Sequence, residues 1–237
     1  MTRLFINGIE TEVPEGTSVL EAAQSLGAEI PTLCSYPGLS AYGACRLCVV
    51  EVGDPRSGPT KLVSACTYPV QEGLRVRTHS PRVERARKML IELLLSICPS
   101  SKRIQDLAAE YQVERVRFPV RDERCILCGL CVRMCAEQMM ARAIGFAHRG
   151  YRRKVTTPFD LRSEVCRLCG GCLYVCPVCE LRCQGPEAPD PICGSCQAPT
   201  CLSAREDLSG AWEMTGGDSV RIKAPREAGK RSAGGVP

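Results

Sequence analysis

Ten of the eighteen cysteines of this 237-residue chain fall between residues 125 and 183. They open with CILCGLCVRMC, Cys125 to Cys135, and continue with CRLCGGCLYVCP, Cys166 to Pro177. Each block spaces its cysteines C-x2-C-x2-C-x3-C. Thiolates are soft ligands, and three of them in one tight turn can wrap three corners of an iron–sulfur cube. A fourth, one helical turn further on, faces away toward a second cube. Zinc and a disulfide framework are the competing readings. Zinc sites usually pair C-x2-C motifs with four ligands per ion, so two full copies of the four-cysteine spacing favour iron–sulfur.

The spacing resembles that of bacterial ferredoxins with two [4Fe–4S] clusters, in which the fourth cysteine of each block crosses to the other cluster. The resemblance implies Cys125, Cys128, Cys131 and Cys176 for one cube, and Cys166, Cys169, Cys172 and Cys135 for the other. Gly129, Gly170 and Gly171 are expected to let the backbone come close and to point N–H groups at the sulfurs. Pro177 follows the second crossing cysteine, as in ferredoxins; Ala136 holds the equivalent place in the first block.

The rest of the chain must position these cysteines. Aromatic residues make up only 5 % of it, which favours small metal-nucleated units over one large apolar core. The N-terminus MTRLFINGIE has no secretory pattern. The longest apolar patch, Met89 to Ile97, is interrupted by Glu92 and Ser96 and is too short for a membrane span. A cytoplasmic protein is therefore expected, and in that compartment metal explains the cysteines better than disulfides. The formal charge of +5 overstates basicity, because ligating thiols are deprotonated. No basic stripe alternates with aromatics, so a nucleic-acid partner is not expected.

The N-terminal third predicts a β-grasp. Arg3–Ile6 and Ile9–Val13 flank Asn7-Gly8, a strong hairpin signal. Ser18 and Glu21 form a capping box for a helix from Val19 to about Leu26, stopped by Gly27. A β-rich run follows at Cys48–Val52, then a Gly/Pro loop over 53–59, a short strand to Cys66 and a last strand within Gly73–Thr78. The four cysteines here, Cys34, Cys45, Cys48 and Cys66, are spaced C-x10-C-x2-C-x17-C. Plant-type [2Fe–2S] ferredoxins use C-x4-C-x2-C with a distant fourth cysteine; only the first gap differs. The stretch PTLCSYPGLSAYGACRLCVVEV resembles the N-terminal [2Fe–2S] domain of the large iron–sulfur subunit of respiratory complex I. It is equally similar to the diaphorase subunits of NAD-linked hydrogenases and formate dehydrogenases. That resemblance makes these four cysteines the ligands of a [2Fe–2S] cluster.

The next segment keeps the resemblance and then breaks it. Ser80 and Pro81 start a helix that runs to Ile97 with helical apolar spacing. In the family a histidine and three cysteines after this helix hold a further [4Fe–4S] cluster. Here Cys98-Pro99 stands at the His-Pro position, and Lys102, Gln105 and Tyr111 stand at the three cysteines. That cluster is expected to be absent, Cys98 to be a buried structural thiol, and Ser100 or Ser101 to cap a plain amphipathic helix to about Tyr111. Between the two cysteine blocks the GF…RG stretch and the T-P-F-D turn continue the likeness. Two short β segments are expected there, with basic residues His148, Arg149, Arg152, Arg153 and Lys154 on a solvated loop or on a docking patch for an acidic or flavin partner.

Beyond Pro177 come Cys179, Cys183, Cys193, Cys196 and Cys201. CGSCQAPTC is similar to the N-terminal [4Fe–4S] motif of glutamate-synthase-type small subunits. It implies a further cube on Cys193, Cys196, Cys201 and Cys183, with Cys179 as the alternative fourth ligand; four-thiolate zinc is the competing occupant. The tail from about Leu208 is Gly- and Ala-rich and expected to be flexible, with Trp212 as a possible anchor.

The fold class expected is α+β. It comprises an N-terminal β-grasp [2Fe–2S] ferredoxin domain (1–79), a helical linker (80–117), a bacterial 2[4Fe–4S] ferredoxin-like domain (118–183) and a Cys-rich C-terminal extension with its tail (184–237). No dinucleotide fingerprint or phosphate loop occurs, so no flavin or NAD site is expected. No nucleophile–base pair stands out, with only His79 and His148 available. Several clusters in series are an electron wire rather than a catalyst. By resemblance the chain is a non-catalytic electron-transfer subunit. It needs a NAD(P)H-oxidising flavoprotein on one side and a catalytic hydrogenase or formate dehydrogenase subunit on the other. A stand-alone polyferredoxin-like carrier or redox-sensing module is the alternative.

Overall fold

The computed structural model describes residues 1–54, 57–121, 123–161, 163–178, 212–215 and 219–222. Strand β1 (Thr2–Ile6) and β2 (Ile9–Val13) pair antiparallel around Asn7-Gly8, both at positive φ. Helix α1 (Val19–Ser25) starts at Ser18, whose side chain accepts from the Glu21 N–H while the Glu21 carboxylate accepts from the Ser18 N–H. This is the reciprocal cap its sequence predicts. Strands β3 (Val49–Asp54), β4 (Ser57–Ser64) and β5 (Leu74–Arg77) complete a sheet of order β2-β1-β5-β3-β4, with β1 and β5 parallel. Alternate residues of its strands, Leu4, Ile6, Val50, Val52, Leu74 and Val76, meet Val19, Leu20, Ala22 and Ala23 of α1 in one aliphatic core.

The Gly/Pro loop expected over 53–59 is mostly strand. β3 continues to Asp54 and β4 begins at Ser57, with a register break between Val52 and Asp54. Pro59 misled the sequence reading because proline weakens a central strand. β4 is an edge of the sheet, where a missing N–H costs no ladder bond.

Helix α2 (Pro81–Ile97) is capped by the Ser80 hydroxyl, which accepts from Val83 N–H at 3.2 Å and donates to Glu51 at 2.7 Å. Helix α3 (Lys102–Glu110) starts at Ser101, but no side-chain bond caps it; the Ser101 carbonyl takes the Ile104 and Gln105 N–H groups instead. The expected serine cap is therefore backbone only. Ile91, Leu94 and Leu95 of α2 and Ile104, Leu107 and Ala108 of α3 build a second core, and Cys98 is buried within it at 1 % exposure. The degenerate cluster positions are occupied by ordinary contacts. Lys102 pairs with Asp106 at 2.7 Å, Gln105 donates to the Pro99 carbonyl at 2.8 Å, and the Tyr111 hydroxyl accepts from Arg87 at 3.2 Å.

The second core does not stop at the helices. It takes in Leu33, Cys34, Cys45 and Leu47 on one side, and Cys128, Leu130, Met134, Val175 and Val178 on the other. From Cys125 onward regular structure is sparse. Helix α4 is Leu130–Arg133, widening into a π turn over Met134–Gln138; strands β6 (Gly145–Ala147) and β7 (Lys154–Thr156) pair antiparallel; helix α5 is Gly171–Tyr174. Elements this short cannot hold themselves. The tail expected to be flexible contains a further antiparallel pair, β8 (Trp212–Thr215) with β9 (Ser219–Ile222). Gly216-Gly217 between them is a hairpin signal that the low-complexity reading overlooked. Among the described residues no helix is long and apolar enough to cross a membrane.

Candidate metal centres

Of the three cysteine sets the first is brought together, its sulfurs hydrogen-bonded to one another. In the first, Cys34, Cys45, Cys48 and Cys66 are all buried, on the loop before β3 and just after β4. Their sulfurs form one hydrogen-bonded chain. Bonds from Cys45 and then Cys66 pull the Cys34 thiol far down, to about 2, against the cost of burial. The bond from Cys66 lowers Cys48 to about 7. Cys45 and Cys66, which carry the shared protons, are pushed up by their bonds to Cys34. Backbone N–H groups also reach these sulfurs: Cys45 N–H to Cys34 Sγ and Leu33 N–H to Cys45 Sγ, each at 3.4 Å. Sulfurs that pool protons in this way suit a cationic metal centre, which would displace those protons on binding. N–H donors around thiolates are the device that tunes such a centre.

In the second group the Cys176 charge acts on Cys125, Cys128 and Cys131 together. Burial raises all three thiols, Cys128 to about 11 and Cys131 to about 12. In the third group burial raises Cys172, which also feels Cys169 and Cys135. The fourth cysteine of each block thus approaches the opposite block. The remaining member of the third set, Cys166, is exposed, as is Cys169.

The two blocks repeat one backbone path. Leu127 and Leu168 have φ of 54° and 51°, and Gly129 and Gly170 have φ of 73° and 70°. Each glycine is followed by a short helix that carries the third cysteine. The N–H groups that reach sulfur belong mainly to neighbours of the glycines. Leu127 donates to Cys125 Sγ at 3.3 Å and Ala143 to Cys135 Sγ at 3.2 Å; Leu130, Val132 and Leu173 serve Cys128, Cys131 and Cys172. The glycines let the backbone come close enough for these bonds. They supply the turn, and Gly171 has no positive φ.

None of the thirteen described cysteines forms a disulfide. Among the described residues no three His, Cys, Asp or Glu side chains close around a single point as ligands of one ion would. In a cube each thiolate binds a separate iron, and in a two-iron cluster each iron takes two, so cluster ligands stand further apart than the ligands of a single ion. Cys179, Cys183, Cys193, Cys196 and Cys201 lie outside the described residues.

Sequence reasoning missed the residues that lock the first two groups together. Tyr42, on the loop between Cys34 and Cys45, stacks on Phe146 of β6 with ring centroids 6.1 Å apart. Arg153 lies 3.8 Å from the Phe146 centroid and donates to the Tyr42 hydroxyl at 2.7 Å. Arg153 is thus an internal clamp, and Lys154 is paired to Asp160 at 2.7 Å; only part of the expected basic patch is free to face solvent. Glu137 accepts from the Ser40 N–H at 2.8 Å, and Gln138 donates to the Gly38 carbonyl at 2.5 Å.

Tyr42 also explains Gly129. A Cβ there would meet Tyr42 Cε1 at 3.1 Å and Phe146 Cζ at 3.3 Å. The positive φ adds on the order of 1–2 kcal/mol of strain for any other residue. Gly129→Ala is expected to cost the protein one cube, about four irons by chemical analysis. Gly145→Ala, where a Cβ meets nothing within 4 Å, is expected to keep full iron content.

Comparison with known proteins places these cysteines in iron–sulfur domains. Residues 1–81 match the family described as a 2Fe-2S iron-sulfur cluster binding domain, and residues 124–179 match a 4Fe-4S dicluster domain. The chain is an iron–sulfur protein. It is homologous to the NADH-ubiquinone oxidoreductase 75 kDa subunit of Reclinomonas americana, at 32 % identity over 182 residues, which is 66 % of this chain and 26 % of that protein. It is also homologous to the NADP-reducing hydrogenase subunit HndD of Solidesulfovibrio fructosivorans, at 33 % identity over 192 residues, which is 68 % of this chain and 32 % of that one. Among solved structures it resembles a chain of an NAD+-reducing [NiFe]-hydrogenase crystallised in the H2-reduced state, with a TM-score of 0.53 and 27 % identity over 66 % of this chain and 74 % of that chain. The iron–sulfur protein spans about a quarter to a third of the length of the two curated relatives named here.

Proposed function

We propose that this iron–sulfur protein relays single electrons between a NAD(P)H-oxidising flavoprotein and a terminal catalytic subunit, of a hydrogenase or a formate dehydrogenase. Cys34, Cys45, Cys48 and Cys66 would hold the [2Fe–2S] cluster. Cys125, Cys128, Cys131 and Cys176 would hold the inner cube, and Cys166, Cys169, Cys172 and Cys135 the outer one. Cys183, Cys193, Cys196 and Cys201 are proposed for a further cube, with Cys179 as the alternative ligand and zinc as the competing occupant. The clusters supply one-electron chemistry when bound; the chain supplies thiolates, N–H donors, spacing and a dry surround.

One observation carries the reading. Cys34 and Cys128 lie in one buried core, and Arg133, two residues beyond Cys131, donates to the Cys34 carbonyl at 2.6 Å. The two-iron loop and the inner cube loop are therefore neighbours, as hopping requires, and the outer set presents two exposed cysteines at the far end.

The test is anaerobic isolation of the tagged chain from its native host. The expected result is co-purification with a flavin-containing partner whose NAD(P)H reduces the clusters, followed by EPR. Iron analysis should give roughly 10 irons with two cubes and roughly 14 with three. A monomer that keeps its clusters and finds no flavoprotein would favour the free carrier instead.

A further inference from the structure

We propose that Arg133 sets the reduction potential of the [2Fe–2S] site, as a fixed positive charge lodged between the two inner cluster loops; the inference rests on the ligand assignment proposed above. Arg133 follows Cys131 by two residues and precedes Cys135 by two, yet its head group crosses to the other loop. Nη2 donates to the Cys34 carbonyl at 2.6 Å, Nη1 donates to the Ser40 carbonyl, and the guanidinium lies 5.4 Å from the Tyr42 ring centroid. The residue is 8 % exposed, and its Nε is buried without a partner.

What Arg133 lacks is an anion. It forms no ion pair among the described residues, whereas Glu92 and Glu51, the buried carboxylates, are committed elsewhere: Glu92 to Arg117, Glu51 to Thr60, Ser80 and Arg82. Glu137 feels the Arg133 charge, but its oxygens are held at the surface by Ser40. A buried cation is tolerated only against opposite charge. A cluster held by four thiolates is a net anion in either redox state, and reduction adds one more negative charge. Arg133 is carried by the block of the inner cube and bonds to the loop of Cys34, and both would carry such anions. A cation held there stabilises the reduced form more than the oxidised form, and so raises the potential.

Arg87 repeats the pattern on the opposite flank. It is fully buried, donates to the Val49 carbonyl one residue after Cys48 at 2.9 Å, and also leaves Nε without a partner. Unlike Arg133 it is carried by α2 rather than by a cysteine block.

The experiment is an EPR-monitored redox titration of the [2Fe–2S] signal in the full-length holo-protein, purified anaerobically. Arg133→Gln should lower the potential, changing the oxidised-to-reduced ratio at fixed solution potential about tenfold, about 59 mV for a one-electron couple. Arg133→Lys, which keeps the charge, should stay close to wild type. Gln138→Ala removes a neutral bond to the same loop and should leave the potential unchanged. The proposal is overturned if Arg133→Gln titrates like wild type, or if Arg133→Lys or Gln138→Ala shifts as far as Arg133→Gln. Should the Gln variant fail to load clusters, the Lys variant decides. Loading at near wild-type potential upholds the charge role, and an equally empty protein reduces Arg133 to a folding contact. A wild-type protein without any [2Fe–2S] signal sinks the ligand assignment instead, a separate outcome visible before any variant is made.

Discussion

Cys128→Ala and Cys176→Ala are expected to remove the same cube, although the two residues lie in different blocks. Each variant should lose about four irons and the same EPR signal, leaving the other cube and the [2Fe–2S] signal in place. Cys135→Ala, despite belonging to the block of Cys128, should instead abolish the signal lost in Cys172→Ala. The reason is the proposed crossing of the fourth cysteines, which the charge of Cys176 on Cys125, Cys128 and Cys131, and of Cys135 on Cys172, supports. Block-wise pairing, with Cys128 and Cys135 lost together, would refute the crossed assignment. Serine is a poorer choice than alanine for this test, because an alkoxide can replace a thiolate and preserve part of a cluster.

Withholding iron is expected to divide the chain in two. The sheet β2-β1-β5-β3-β4 with α1 has its own aliphatic core, in which only Cys48 and Cys66 are cysteines. Its amides should stay protected from hydrogen exchange in protein made without iron. Residues 125–178 contain helices of four residues, strands of three and few buried apolar side chains. In that stretch binding energy is folding energy, and the amides should exchange at nearly the unprotected rate. Restoring iron and sulfide anaerobically should bring back protection there. Equal protection in both states would mean that this segment folds without its clusters.

The β-grasp was legible because its signals are local. Asn7-Gly8, the Ser18/Glu21 box and the Ser80-Pro81 start each name a short structure with a known mechanism, and α2 runs over the expected residues. Cysteine spacing likewise pointed to the two iron–sulfur domains that the family comparisons match, since the spacing itself is the ligand pattern. What stayed hidden was long-range. Nothing in the local sequence said that Tyr42 would stack on Phe146 more than a hundred residues away, that Arg153 would close over that stack, or that Arg133 would reach the Cys34 carbonyl. A basic run reads as solvated until its partners are known. Pro59 misled for a related reason: a proline is tolerated on an edge strand, and whether a strand is an edge depends on the whole sheet.

The uneven cover over the cysteines has a consequence for survival in air. Cys34, Cys45, Cys48 and Cys66 are all buried, whereas Cys166 and Cys169 are open to solvent. Dioxygen and its radicals arrive through water, so the outer cube would be the first to corrode. An oxidised sample would then lose its connection to the outside before it loses its interior, and a protein still brown and still EPR-active could already be unable to pass charge on.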